Sequence, residues 1–149
     1  MSHGDRQELR PYLRPEEPRP DDIVVIRGGP DNLAKLIAHA RRTNRAFCLD
    51  GTPLWGVSVF CALDAEGPAS IEGILSRRMS TYRIVHMTTV RAVTTAGFEL
   101  LPTFSRPHFT LRLASDGADE LVRLLAILGP SRENPYERAA ARRGRRAEP

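Results

Sequence analysis

Residues 56–63, GVSVFCAL, constrain this chain more than any other stretch of it. The run carries no charge. Val57, Val59, Cys61 and Leu63 alternate with Ser58, Phe60 and Ala62, so a strand built from it is apolar on both faces. Such a strand belongs in the middle of a sheet, with neighbours on either side and cover above and below. A length of 149 residues suits one core of this kind. The rest of the chain must therefore supply flanking strands and covering helices.

The patterning supplies both. Residues 21–27 (DDIVVIR) form a short apolar run ended by Gly28-Gly29-Pro30, a strand followed by a turn. Asp31 then stands at an N-cap position, and Leu33, Leu36, Ile37 and Ala40 share one helical face. Residues 46–49 read as a short strand closed by the Asp50-Gly51 turn. After residues 56–63, Ile71, Ile74, Leu75 and Met79 give a second helix. Residues 82–87 read as a strand, and Thr88 or Thr89 caps a short helix stopped by Gly97. Strands follow at 98–101 and 108–113, then a last helix with Leu121, Leu124, Leu125 and Leu128 inward. About six strands and four helices predict an α+β or α/β class, a single domain on a mixed sheet.

The ends read differently. Residues 1–20 hold four prolines and eight charged side chains with little to bury, so a disordered or loosely docked arm is expected there. The globular domain is expected over 21–130, and residues 131–149 as a flexible, Arg-rich tail. Of the formal net charge of +4, the tail supplies most, with six arginines against three glutamates. Nucleic acid as a partner is thus an expectation for Arg142, Arg143, Arg145 and Arg146 and not for the core. Lys35 is the only lysine, a bias that a GC-rich bacterial genome would produce.

No apolar run approaches the ~18–20 residues that cross a bilayer, and residues 1–20 lack the apolar segment of a secretory signal. The expected location is the cytoplasm, with no membrane partner. In that reducing compartment Cys48 and Cys61 read as small core residues, and their spacing gives no metal site.

Two short segments point to chemistry. His86-Met87-Thr88 ends one expected strand and His108-Phe109-Thr110 opens another. The strand period of two puts His and Thr of each segment on one face, and the second extends to Arg112. A proton acceptor, a hydroxyl and a fixed cation together suit phosphate. Arg27, followed by Gly28-Gly29 before a helix, is a separate anion-binding candidate. Ser58, on a strand with no strand-to-helix elbow, is not expected to be a nucleophile.

The two segments resemble the paired His-x-Thr motifs of two-histidine phosphoesterases. That likeness implies His86 and His108 as acid and base on a phosphodiester, held by Thr88 and Thr110, and it needs both imidazoles at one cavity. Residues 82–113 also resemble the NAD-binding part of ADP-ribosyltransferase folds, the tRNA 2′-phosphotransferases and related bacterial toxins included. The matching residues are His86, Thr88, Gly97-Phe98, Pro102 and Arg106-Pro107-His108. This second likeness implies NAD as cofactor, His86 at the nicotinamide ribose, and Arg106 and His108 at phosphates or substrate. Arg27 and Arg112 complete the cofactor-binding candidates, and an antitoxin or other partner protein is implied. The third expectation is a non-catalytic interaction module.

Overall fold

The computed structural model describes residues 5–29, 31–115 and 117–138. Its centre is a six-stranded sheet, and the strand over residues 56–63 lies inside it as expected. In chain order, the strands are β1 (Gln7–Glu8), β2 (Ile23–Arg27), β3 (Phe47–Leu49), β4 (Thr52–Pro53), β5 (Trp55–Ala62), β6 (Ile84–Thr89), β7 (Glu99–Leu101), β8 (His108–Leu113) and β9 (Arg132–Glu133). The helices are α1 (Asn32–Ala46), α2 (Ile71–Gly73), which runs into a π-helical turn at Ile74–Arg78, α3 (Val90–Thr95) and α4 (Ala118–Ile127). The large sheet has the order β7-β8-β5-β2-β6-β9, and every ladder in it is antiparallel. A parallel pairing occurs instead in a small second sheet, between β1 and β3. The domain is thus α+β.

One face of the large sheet carries the main core. Val24, Ile26, Val57, Val59, Phe109 and Leu111 meet Leu36 and Ala40 of α1, Val90 and Val93 of α3, and Leu121 and Leu124 of α4. The other face holds a smaller cluster in which Val25, Phe60, Val85 and Met87 pack on Ile74, Leu75 and Met79. Capping follows local sequence. Thr89 Oγ1 accepts from the Ala92 amide at the start of α3, and Ser70 Oγ from Gly73 at the start of α2. Cys48 and Cys61 are both free thiols. Among the described residues, no helix is long and apolar enough to cross a membrane.

Both ends of the domain extend beyond the expected boundaries. Within the expected loose arm, residues 5–20 pack against the body: Leu9 is 1% exposed and joins Leu49, Leu54 and Leu101 in a third cluster. Buried Leu9, a paired strand and Arg14, whose guanidinium donates to the carbonyls of Thr103 and His108, anchor the arm. At the other end, residues 131–138 dock where a flexible tail was expected. Asn134, 2% exposed, donates through Nδ2 to the carbonyls of Met79 (2.9 Å), Leu75 (3.1 Å) and Tyr82 (3.3 Å). One buried amide thus ties off the end of the π-helical turn, adding a donor to the Met79 carbonyl, which also accepts from the Tyr82 amide. Arg142, Arg143, Arg145 and Arg146 lie outside the described residues.

Candidate functional site

Register decides which face each His-x-Thr segment uses. His86 pairs with Ile26 and Thr88 with Val24, so both point to the helix-covered face. His108 pairs with Phe60 and Thr110 with Ser58, which puts them on the opposite face. The two imidazoles do not open onto one cavity, so the acid–base pair that a phosphodiester site would draw from them is not assembled.

The first segment meets a helix end. Thr88 Oγ1 donates to the carbonyl of Ile127 (3.1 Å), the last residue of α4, and His86 Nδ1 to that of Gly129 (2.9 Å). The carbonyl of Ile127, at the C-terminus of α4, lacks an intrahelical partner and Thr88 supplies one, while His86 holds the chain two residues beyond the helix. Gly28 lies under the His86 ring: a Cβ there would stand 3.0 Å from His86 Cδ2 and from Ile84 Cγ2.

The second segment builds a polar relay. The hydroxyl of Thr103, which is fully buried, lies 2.8 Å from Thr110 Oγ1 and 2.9 Å from His108 Nδ1. The Thr103 carbonyl is 3.3 Å from the same Nδ1 and can only accept, which places the ring proton on Nδ1. His108 Nε2 is left with its lone pair, 3.0 Å from Ser58 Oγ. Arg14, from the N-terminal arm, donates to the carbonyls of both Thr103 (2.8 Å) and His108 (2.9 Å) and so fixes the loop that orients the ring.

His39 approaches Ser58 from the other side. The β2–β5 ladder runs only from Ile23↔Ala62 to Val25↔Phe60, after which the strands part. In that gap the Ser58 amide, deprived of a strand partner, donates to His39 Nε2 at 3.3 Å, and Ser58 Oγ lies 3.3 Å from the same atom. Both imidazoles are neutral at neutral pH. Burial pushes His108 down to about 4, with the Arg78 and Arg14 charges adding and the bond to Thr103 opposing. Burial likewise pushes His39 down to about 4, aided by Arg42 and Arg27.

A cavity of ≈ 180 Å³ opens where the strands part, lined by Ser58, His39, His108, Leu36, Phe60, Arg27, Arg78, Met79 and Tyr82. Arg27 stacks over the Tyr82 ring at 5.5 Å, and its buried Nε has no hydrogen-bond partner among the described residues. Arg78 lies over Phe60 at 5.8 Å and donates to Ser105 Oγ and the Arg106 carbonyl. No acidic side chain lines the cavity among the described residues. A wider depression of ≈ 470 Å³ holds Asp21, Asp22, Asp64 and Glu72, but these are bonded to Arg91, Arg19, Arg106 and Tyr136, respectively.

Of the residues singled out in the sequence, Arg27 and His108 line the cavity, and Thr110 stands behind His108 through Thr103. His86 and Thr88 are at the α4 end. Arg106 is held by Asp64 (2.6 Å) and Glu16 (2.8 Å), which raise its pKa further, and it does not line the cavity. Arg112 pairs with Glu99 at 3.4 Å, four residues along β8 from His108, or about 13 Å. Sequence reading missed His39 and Arg78, and it set Ser58 aside as a nucleophile for want of a strand-to-helix elbow. Ser58 had a signal, as the hydroxyl in an otherwise apolar central strand. Among the described residues, no group of three or more His, Cys, Asp or Glu side chains could hold a metal ion. Compared with family models, curated proteins and solved structures, the chain matches none of them.

Proposed function

We propose that this protein is a small hydrolase or group transferase in which Ser58 is the nucleophile and His108 its general base. The observation that carries the reading is Ser58 Oγ, 3.0 Å from a lone pair on His108 Nε2, at the wall of an open cavity. A weak nucleophile becomes competent when an adjacent base takes its proton and a third group orients that base. Thr103 is the orienting group, through its carbonyl and its hydroxyl. A positioned base contributes roughly 10²–10⁴-fold to a rate when its pKa lies near the working pH, and His108, pushed down to about 4, falls at the low end of that range. His39 holds the Ser58 backbone amide and is a positioning residue. The cavity is smaller than the ~300–1,000 Å³ of sites that bury a drug-sized ligand, so it takes a reacting group and leaves the remainder of the substrate outside.

A fluorophosphonate probe followed by peptide mass spectrometry tests the reading. The adduct should form on Ser58, disappear in Ser58→Ala and weaken strongly in His108→Asn. An unlabelled Ser58, with no Ser58-dependent turnover of p-nitrophenyl acetate or p-nitrophenyl phosphate, would overturn it. The nucleotide-transferase expectation uses the same Arg27 and His108 and has a separate assay, incubation with labelled NAD and cell extract. Label transferred to a macromolecule in Ser58→Ala as well would favour that expectation over ours.

A further inference from the structure

The reaction class leaves open which group Ser58 attacks, and the cavity wall speaks to that. Arg27 and Arg78 both line it, and among the described residues neither is ion-paired and no lining side chain is acidic. Two guanidiniums beside two neutral imidazoles leave uncompensated positive charge around a serine hydroxyl. The buried Nε of Arg27 is a donor that has lost water without gaining a protein acceptor. Buried polar atoms almost always find partners, and an orphaned one points to a missing acceptor. A guanidinium stacked on an aromatic ring, like Arg27 on Tyr82, presents a rigid fork suited to a multi-oxygen anion.

Acyl transfer is disfavoured by the same geometry. Its oxyanion forms only in the transition state and is commonly held by backbone amides, often including that of the nucleophile. Here the Ser58 amide is already given to His39 Nε2. A phosphoryl group carries its charge in the ground state and through the transition state, where fixed cations stabilise it directly.

We propose that the substrate is a phosphate monoester whose phosphoryl group enters this cavity, with Arg27 as its principal anchor and Arg78 at the mouth. The inference rests on Ser58 being the nucleophile. In the first step an Oγ–P bond forms and the bond from phosphorus to the leaving oxygen breaks. The Ser58 proton passes to His108 Nε2 and on to solvent, and the leaving oxygen takes a proton from water. In the second step water attacks phosphorus, the Oγ–P bond breaks, and Ser58 recovers its proton as inorganic phosphate departs.

The test uses the full chain with p-nitrophenyl phosphate and p-nitrophenyl acetate as alternative substrates and inorganic phosphate as competitor. The phosphate ester should be turned over, inorganic phosphate should inhibit competitively, and acid-quenched reactions should contain phosphoserine at Ser58. Arg27→Gln should weaken phosphate binding roughly 10- to 100-fold, the loss of a charge-assisted contact. Arg27→Lys should recover part of it. Arg78→Gln, at an exposed side chain, should show a smaller loss in the same direction, with a thermal melt confirming that the variant is folded. Ser58-dependent turnover of the acetate ester alone, with no competition by phosphate, overturns the phosphoryl assignment and leaves the nucleophile standing. Turnover of neither ester, with Ser58 unlabelled, removes both.

Discussion

His86-Met87-Thr88 and His108-Phe109-Thr110 are the same motif on strands of one sheet, and they have opposite fates. The first faces the helices, where its hydroxyl and Nδ1 donate to the carbonyls of Ile127 and Gly129. The second faces away from them, where its ring sits between Thr103 and Ser58 and borders a cavity. The two rings differ in what each leaves over. His108 spends Nδ1 on Thr103 and keeps Nε2 for a hydroxyl that can react. His86 spends Nδ1 on the carbonyl of Gly129, just past the end of α4. A histidine–threonine pair on a strand is thus a set of donors and acceptors, and the strand's neighbours decide whether the set becomes a clamp or a relay.

The largest effect that can break this comparison is on turnover. Ser58→Ala should abolish Ser58-dependent turnover, and His108→Gln should lower kcat by roughly 10²-fold, the low end for a positioned base because a ring pushed down to about 4 is a weak base at neutral pH. His86→Gln should leave kcat within a few-fold and act on stability instead. Steady-state kinetics on p-nitrophenyl phosphate separate these outcomes. Equal losses in His86→Gln and His108→Gln would mean that the two faces communicate, and the division between clamp and relay would fail.

An intermediate effect is expected in the pH dependence of stability. His39 and His108 titrate near 4 in the folded protein against an ordinary imidazole value of 6.5. Between those values the unfolded chain binds protons that the native state does not, so folding stability falls as pH drops from about 6.5 toward 4. Allowing for their partial exposure, each ring contributes on the order of 1–2 kcal/mol across that window. Thermal melts of His39→Gln and His108→Gln should lose part of the slope. Thr88→Val, which removes no titrating group, should keep it. A slope unchanged in both histidine variants would place the rings in water instead of under the sheet.

The elements were legible because each carries its own periodicity. The alternation in residues 56–63 and the leucines of the last helix report burial without knowledge of any partner. The site was half legible for the same reason. His108, Thr110 and Arg27 stand out locally, whereas Ser58 shows locally only as a hydroxyl in an apolar strand and gains its partner through its register with Thr110, and His39 only because β2 leaves β5 after Val25. Neither fact is written in a local pattern. Leu9 and Asn134, which dock the two ends, were invisible because one buried residue in a charged segment does not change its composition.

The smallest effect sharpens the clamp half of the comparison. Thr88→Val keeps shape and β-propensity but removes the hydroxyl that the Ile127 carbonyl accepts from. A net hydrogen bond is worth about 1 kcal/mol, and an acceptor stranded at a partly buried helix end adds to the loss. The expected destabilisation is therefore about 1–2 kcal/mol, with turnover unchanged. At Thr110 the same substitution removes the partner of Thr103 Oγ1, 2.8 Å away, in a buried pair. Thr103 can still face His108, so Thr110→Val should cost similar stability but also disturb the ring that serves Ser58, lowering kcat with KM little changed. Denaturant titrations paired with kinetics on both variants decide it. A Thr110→Val enzyme with wild-type kcat would confine the relay to Thr103, His108 and Ser58.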